Sequence, residues 1–316
     1  MSYLFPLLAA FLWGANTIIT KMTSGVISPS EISFLRWLIA VIILTPVIWR
    51  PMKKHKKEVL PNIPKLMMLG LLSSVIFQSM AYNAAAYTSA MHMGIIQALM
   101  PLMAIILASL VFRNKPGAGT IVGALVSLAG VVLVISGGDP SKLITQGMNI
   151  GDGLMLVATF AMAVYNILLK RWHVNVPLIL SLYVQATSAA VVLLPFYLTG
   201  EKHALTLVSG GMVLYAAIGA SILAPLTWMV GSKRLGPSRV SLFFNLIPVF
   251  TAIMAILFLN EEFTWSLLVG GVLSLGGVVI VEVFKGNQAV TGNDVHHHTE
   301  RKPESRYTGH KQASGY

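Results

Sequence analysis

Ten long apolar runs, at 4–22, 31–50, 64–83, 91–112, 118–136, 152–170, 176–198, 211–231, 239–259 and 264–284, occupy most of the 316-residue chain. A helix needs about 20 apolar residues to cross the hydrocarbon core of a bilayer. In that core only helices and closed barrels leave no backbone group unpaired. Barrel strands show roughly 10-residue segments of alternating polarity, whereas these runs are apolar on every face. Pro29, Pro116, Gly151, Gly210 and Gly211 lie near run ends, where helices start or stop. The pattern predicts an all-α integral membrane protein with ten transmembrane helices. Composition agrees, because only 10% of the residues are charged, against about 25% in soluble domains.

The charges orient the chain. With the N-terminus in the cytoplasm, eighteen of the 22 Lys and Arg fall in the even-numbered connections and the C-terminal tail. The opposite side has only Lys21, Lys142 and Lys202, and Arg36 lies inside the second run. Cytoplasmic loops are enriched in Lys and Arg, so both termini are expected inside, in a multi-pass protein of the cytoplasmic (inner) membrane. A net charge of +11 would suggest nucleic acid for a soluble protein. Here the cations serve topology, and no nucleic-acid partner is expected. Met1 to Phe5 lack the basic start of a signal peptide, so the first run is read as a retained helix. The absence of cysteine rules out disulfides and thiol chemistry. Residues 287–316 are polar and aperiodic, and are expected to form a disordered cytoplasmic tail. His296, His297 and His298 there lack a positioned partner ligand, so neither a metal site nor a cofactor is expected.

The chain also repeats itself. A shift of 149 residues places Lys21 on Lys170, Phe34 on Tyr183 and Pro46 on Pro195. A shift of 147 places Pro101 on Pro248, Gly123 on Gly270, Ser127 on Ser274 and Gly130 on Gly277. The two units, 4–137 and 152–284, hold five runs each. Five is odd, so the second unit enters the membrane from the opposite side. Inverted repeats build many secondary transporters, in which the two halves alternate access to a central site.

The repeated segments resemble the EamA type of the drug/metabolite transporter superfamily. The resemblance rests on TrpGlyAlaAsn at Trp13 to Asn16, TyrThrSerAla at Tyr87 to Ala90, Pro101, Pro248, LeuPheLeuAsnGluGluPheThr at Leu257 to Thr264, and the Gly-rich last run. It covers residues 4–284. Asn260 and Glu261 stand where the family usually has Gly-Glu, and Asn114 stands at the corresponding place of the first half. The resemblance implies export of amino acids, other small metabolites or toxic compounds.

Polar residues in spanning helices face a bundle interior or a water-filled cavity. Candidate substrate-binding residues are Trp13, Asn16 and Thr17 in run 1, Gln78 and Tyr82 in run 3, and Gln97 and Pro101 in run 4. Tyr165 and Asn166 in run 6, Trp228 in run 8, and Asn245 and Pro248 in run 9 complete the set. Thr20, Ser74, Ser232 and Ser241 suit helix packing better than substrate contact, as do the repeated Gly/Ser stripes. Pro101 and Pro248 sit mid-run at equivalent positions, and paired helix breaks mark a substrate site or gate as readily as a packing kink. Lys21, Arg36 and His92 are candidates for charge or gating roles. Arg36 suits a substrate carboxylate or a static pair with Glu31, the latter slightly favoured. No Asp or Glu lies at mid-membrane, so facilitated or weakly coupled export is favoured over proton antiport. Expected partners are a small-molecule substrate and the lipid bilayer, and the oligomeric state is open. Sugars, nucleotide-sugars and drugs remain alternative solutes, and a non-transport membrane protein a further one. No metal, triad or phosphate-loop spacing suggests an enzyme.

Overall fold

A computed structural model describes residues 2–111, 117–141, 145, 147–235, 240 and 242–280. The described residues are helical and contain no strand. Eight helices are long and apolar enough to cross a membrane: α1 (Leu4–Met22), α2 (Pro29–Lys54), α3 (Lys56–Ala84), α4 (Ala90–Val111), α5 (Ala118–Ile135), α6 (Ile150–Trp172), α7 (Leu178–Thr199) and α8 (Leu207–Leu235). Two shorter apolar helices follow, α9 (Phe243–Leu259) and α10 (Trp265–Ile280). The expected tail, Arg239 and Ser241 lie outside the described residues.

Local chemistry sets several ends. Ser28 and Glu31 form a reciprocal capping box at the start of α2, with Pro29 in the first turn, which satisfies two otherwise unpaired backbone donors. The Asn149 side chain accepts from Gly151 N at 2.7 Å to open α6. Asn260 closes α9 in the left-handed region at φ 52°. Glycine adopts that conformation most easily and asparagine tolerates it, which explains the Asn in place of the family's Gly. Several helices run further than the apolar pattern predicts. α3 begins at Lys56 rather than 64, because its charged first turn carries no hydropathy signal, and α8 begins at Leu207 rather than 211, ahead of the Gly210–Gly211 pair that bounded the apolar run.

Packing follows the repeat. α1 packs on α8 and α9, and its counterpart α6 packs on α3 and α4. α2 packs on α7 and α8, and α7 on α2 and α3. The like-with-like contacts α2–α7 and α4–α9 lie where a pseudo-two-fold axis would pass. So does the α5–α10 crossing. There a Cβ built on Gly130 would enter the backbone of Gly270 and Ser274, and one on Gly277 that of Ser127 and Gly123. Without side chains at these glycines the two backbones touch, the usual basis of tight helix association in lipid. Trp49, Leu110, Val191, Leu257 and Trp265, each more than 60% exposed, coat the outside with apolar surface that only lipid covers well.

One feature is not visible in the hydropathy. α3 and α8, the third helix of each half, both widen into a π-helix, over Leu71–Phe77 and Ala216–Leu223. Such segments carry an extra residue per turn and cluster at functional sites.

Candidate functional site

The seam between the halves carries polar chemistry at three levels. At the end expected to face outward, Lys21 Nζ donates to the carbonyls of Ala85 and Thr88, each at 2.7 Å. It thereby ties α1 to the connection between α3 and α4. Two carboxylates of the second half cross to the first. Glu261 accepts from Ala90 N at 2.6 Å and Met91 N at 3.0 Å, at the α4 N-terminus where the helix dipole favours an anion. Asp152, 1% exposed, accepts from the Thr88 hydroxyl and lies 3.4 Å from His92 Nδ1. Lys21, His92, Asp152 and Glu261 line a recess of about 470 Å³ at this end.

Deeper, Arg36 is buried at 3% exposure. Its Nε and Nη2 donate to Ser221 Oγ at 3.0 and 2.8 Å, and its Nη1 donates to Tyr82 Oη at 3.1 Å. Ser221 passes its own proton to the Ala216 carbonyl, five residues back, at 2.8 Å. That is π-helical spacing, and it turns the hydroxyl lone pairs toward the guanidinium. The π segment of α3 serves α2 as well, since the Ser74 carbonyl accepts from Trp37 Nε1 at 2.9 Å. The rings of Trp37 and Tyr82 lie 5.1 and 6.0 Å from the guanidinium carbon.

The Glu31–Arg36 pair considered above does not form. Glu31 accepts instead from Ser28 N and from His203 N. The reason is angular. Residues five apart sit roughly 140° around a helix from each other, whereas neighbours on one face are three or four apart.

At the third level, toward the opposite end, Trp13 of α1 meets Trp228 of α8 at 5.5 Å and stacks on Phe244 at 5.4 Å, and Trp228 and Phe244 are 4.1 Å apart. Phe244 was not among the sequence candidates. It lies in a 3₁₀ stretch, Leu242–Leu246, that precedes Pro248 at the start of the regular part of α9. α4 breaks in the same way. Its first part ends at Gln97 and its second begins at Met100, with i→i−3 bonds from Ala98 and Leu99 at the break. A proline ring collides with the carbonyl four residues back, which for Pro101 is that of Gln97.

The structure thus groups Tyr82 with Arg36, Trp13 with Trp228, and Lys21 with His92. Tyr165 shares a hydrogen bond with Gln185, a residue the sequence reading passed over although it stands 149 positions after Arg36. Thr17 returns its hydroxyl to the Trp13 carbonyl at 3.4 Å. Asn16 Oδ1 is buried without a partner among the described residues. Gln78 is buried, whereas Gln97, Asn166 and Asn245 are half-buried beside the same helices.

The sequence pattern of the EamA-like transporter family matches residues 1–136 and 149–283. This chain belongs to the EamA-like transporter family. The two matched segments take in α1 to α5 and α6 to α10. Among its EamA relatives, the uncharacterized transporter YyaM of Bacillus subtilis (strain 168) is 26% identical over 77% of this chain and 81% of that protein. An uncharacterized transporter of Archaeoglobus fulgidus is 27% identical over 88% and 96% of the two chains. Protein PecM of Dickeya dadantii (strain 3937) is 26% identical over 88% and 91%. A solved crystal structure superposes with a TM-score of 0.63 over 90% of this chain and 96% of the other, at 17% identity, which establishes the shared fold. Membership of that family makes this a membrane transporter.

Proposed function

We propose that the chain exports small amphipathic metabolites, amino acids or related compounds, across the cytoplasmic membrane by alternating access, with both termini inside. The observation that carries this reading is the pairing of like helices, α2 with α7 and α4 with α9, across the seam of the two halves. Halves so packed can rock against each other and open the seam to one side at a time. Each end has a cross-seam closure of different chemistry. Glu261 and Asp152 reach over at one end, and Trp13 meets Trp228 and Phe244 toward the other. The carboxylates at the seam, Glu31, Asp152 and Glu261, are all engaged by protein donors, which favours facilitated over proton-coupled movement.

The chain has no native thiol, so accessibility tests this directly. Single Ser89→Cys and Asn245→Cys variants in vesicles are exposed to an impermeant maleimide from either face while amino acids are added. Alternating access predicts that a transported solute changes the two labelling rates in opposite senses. Rates that rise together would indicate a channel and overturn the proposal. Amino-acid flux with and without a pH gradient then separates facilitation, which is indifferent to the gradient, from coupling.

A further inference from the structure

We infer that Arg36 receives the carboxylate of the transported solute, and that the substrate class is a small apolar carboxylate bearing an adjacent hydrogen-bond donor. This rests on the transporter reading above. Arginine stays charged at any pH the protein meets, and an ion buried without a counter-ion is costly unless something neutralises it. No acidic side chain pairs with Arg36 among the described residues. Its one nearby candidate, Glu31, is committed to Ser28 and His203. The aromatic rings of Trp37 and Tyr82 shield the cation but carry no formal charge.

The hydrogen-bonding capacity is also unspent. A guanidinium has five N–H donors. Ser221 takes two and Tyr82 one, which leaves one on each terminal nitrogen, the disposition that grips a carboxylate with two bonds. Tyr82 belongs to the first half and Ser221 to the second, so the cation stands on the seam itself.

A second, independent observation points to a ligand in the same layer. Among the described residues, Asn16 Oδ1, Ser33 Oγ and Ser79 Oγ are buried with no hydrogen-bond partner. Buried polar atoms are almost always paired. Ser33 is one helical turn from Arg36 on α2. Asn16 and Ser79 lie roughly 7–9 Å inward of the Lys21 tie along α1 and α3, at 1.5 Å of rise per residue. Two hydroxyls can donate to a carboxylate, while the Asn16 oxygen needs a donor from the solute, such as an ammonium or hydroxyl. Trp13, one turn from Asn16, supplies an apolar wall for the rest of the molecule.

The test is binding to the purified full chain in lipid nanodiscs at neutral pH. The probes are phenylalanine, 3-phenyllactate, phenylalaninamide and 3-phenylpropionate. The wild type should bind the first two at least tenfold tighter than the amide, which lacks the carboxylate. It should also prefer phenyllactate to phenylpropionate, which lacks the donor. Arg36→Gln should abolish the preference for acid over amide while Arg36→Lys keeps part of it, and Asn16→Leu should abolish the preference for phenyllactate over phenylpropionate. The wild-type comparison stands even if a variant fails to fold. Equal affinity for acid and amide, an acid preference that survives Arg36→Gln, or no binding of any probe would overturn the inference. The maleimide experiment judges the transport mechanism separately, so the two failures are distinguishable.

Discussion

Arg36 and Gln185 hold equivalent places in the two halves, and their surroundings differ in how far the hydrogen bonding is completed. Gln185, on α7, donates to Ser181 Oγ at 3.0 Å, accepts from Ser73 Oγ at 3.4 Å and shares a bond with Tyr165. Its main chain lies against Gly70 so closely that a Cβ there would come within 2.8 Å of the Gln185 carbonyl oxygen. That junction is neutral and closed on itself. Arg36, on α2, holds Ser221 and Tyr82 but keeps donors in reserve, and Asn16, the counterpart of Tyr165, has an unpaired oxygen. Of two junctions at equivalent places in the repeat, one is finished by protein groups and the other keeps donors for the proposed solute. Two related sites of opposite completeness give the seam a direction that perfect symmetry would deny it.

The sharpest way to break this contrast is to remove the polar group from each junction in turn. Arg36→Met should lower flux about tenfold or more, since a hydrogen bond to a charged group is worth roughly 1.5–3 kcal/mol. Gln185→Met should spare flux far better but strand Tyr165 and Ser181, at about 1–3 kcal/mol of stability per unpaired buried group, whereas Ser73 keeps its bond to the Leu69 carbonyl. Flux in vesicles and thermal unfolding in detergent, measured on both variants, should move in opposite proportions. Matching profiles would show that the junctions do the same job.

The next test lies at the aromatic closure. Trp228→Ala removes a ring from the Trp13–Phe244 cluster and should cut flux several-fold while membrane expression holds. Normal flux would remove that cluster from the pathway and leave Arg36 as the distinguishing feature of the seam.

Much of this organisation was legible beforehand. The offset of 149 narrowing to 147 shows the internal repeat, and Pro101 and Pro248 coincide with the α4 and α9 breaks, although Pro46 and Pro195 lie inside the unbroken helices α2 and α7. The Ser28-x-x-Glu31 spacing is a capping box, a signal that the expected Glu31–Arg36 pair left out of account and that engages Glu31 at its own helix end. The π segments were not legible, because a helix widened by one residue keeps the same apolar composition. Phe244 escaped for a related reason: an apolar ring in an apolar run gives no periodic signal, and only the 3₁₀ turn aims it at Trp13. The unpaired oxygens of Asn16, Ser33 and Ser79 emerge only from tertiary packing, since composition cannot say which polar atoms find partners.

A smaller effect is expected at the outward-facing closure. Glu261→Gln keeps the shape but removes the charge that faces the α4 N-terminus. The cost should be about 0.5–2 kcal/mol, the worth of a partly buried anion at a helix start together with a weakened hydrogen bond. Ser89→Cys labelling from outside should speed up in this background, because Glu261 joins the halves there. Unchanged labelling would confine Glu261 to capping.

The smallest effect is expected from Thr17→Val, and it tests the logic of the comparison at its weak end. Thr17 and Asn16 are consecutive on α1 and both were candidates for substrate contact. Thr17 is 3% exposed, and its hydroxyl bonds the Trp13 carbonyl of its own helix, a local arrangement that serine and threonine adopt in apolar surroundings. Valine keeps the branched shape, and the carbonyl it releases keeps its ordinary helical partner. Flux and stability should therefore stay within about twofold and 1 kcal/mol of the wild type, while Asn16→Leu, one residue away, reduces flux. A large loss from Thr17→Val would mean that its hydroxyl turns into the pathway when the seam opens, and that spent and unspent hydrogen bonds in the closed form do not distinguish packing residues from binding ones.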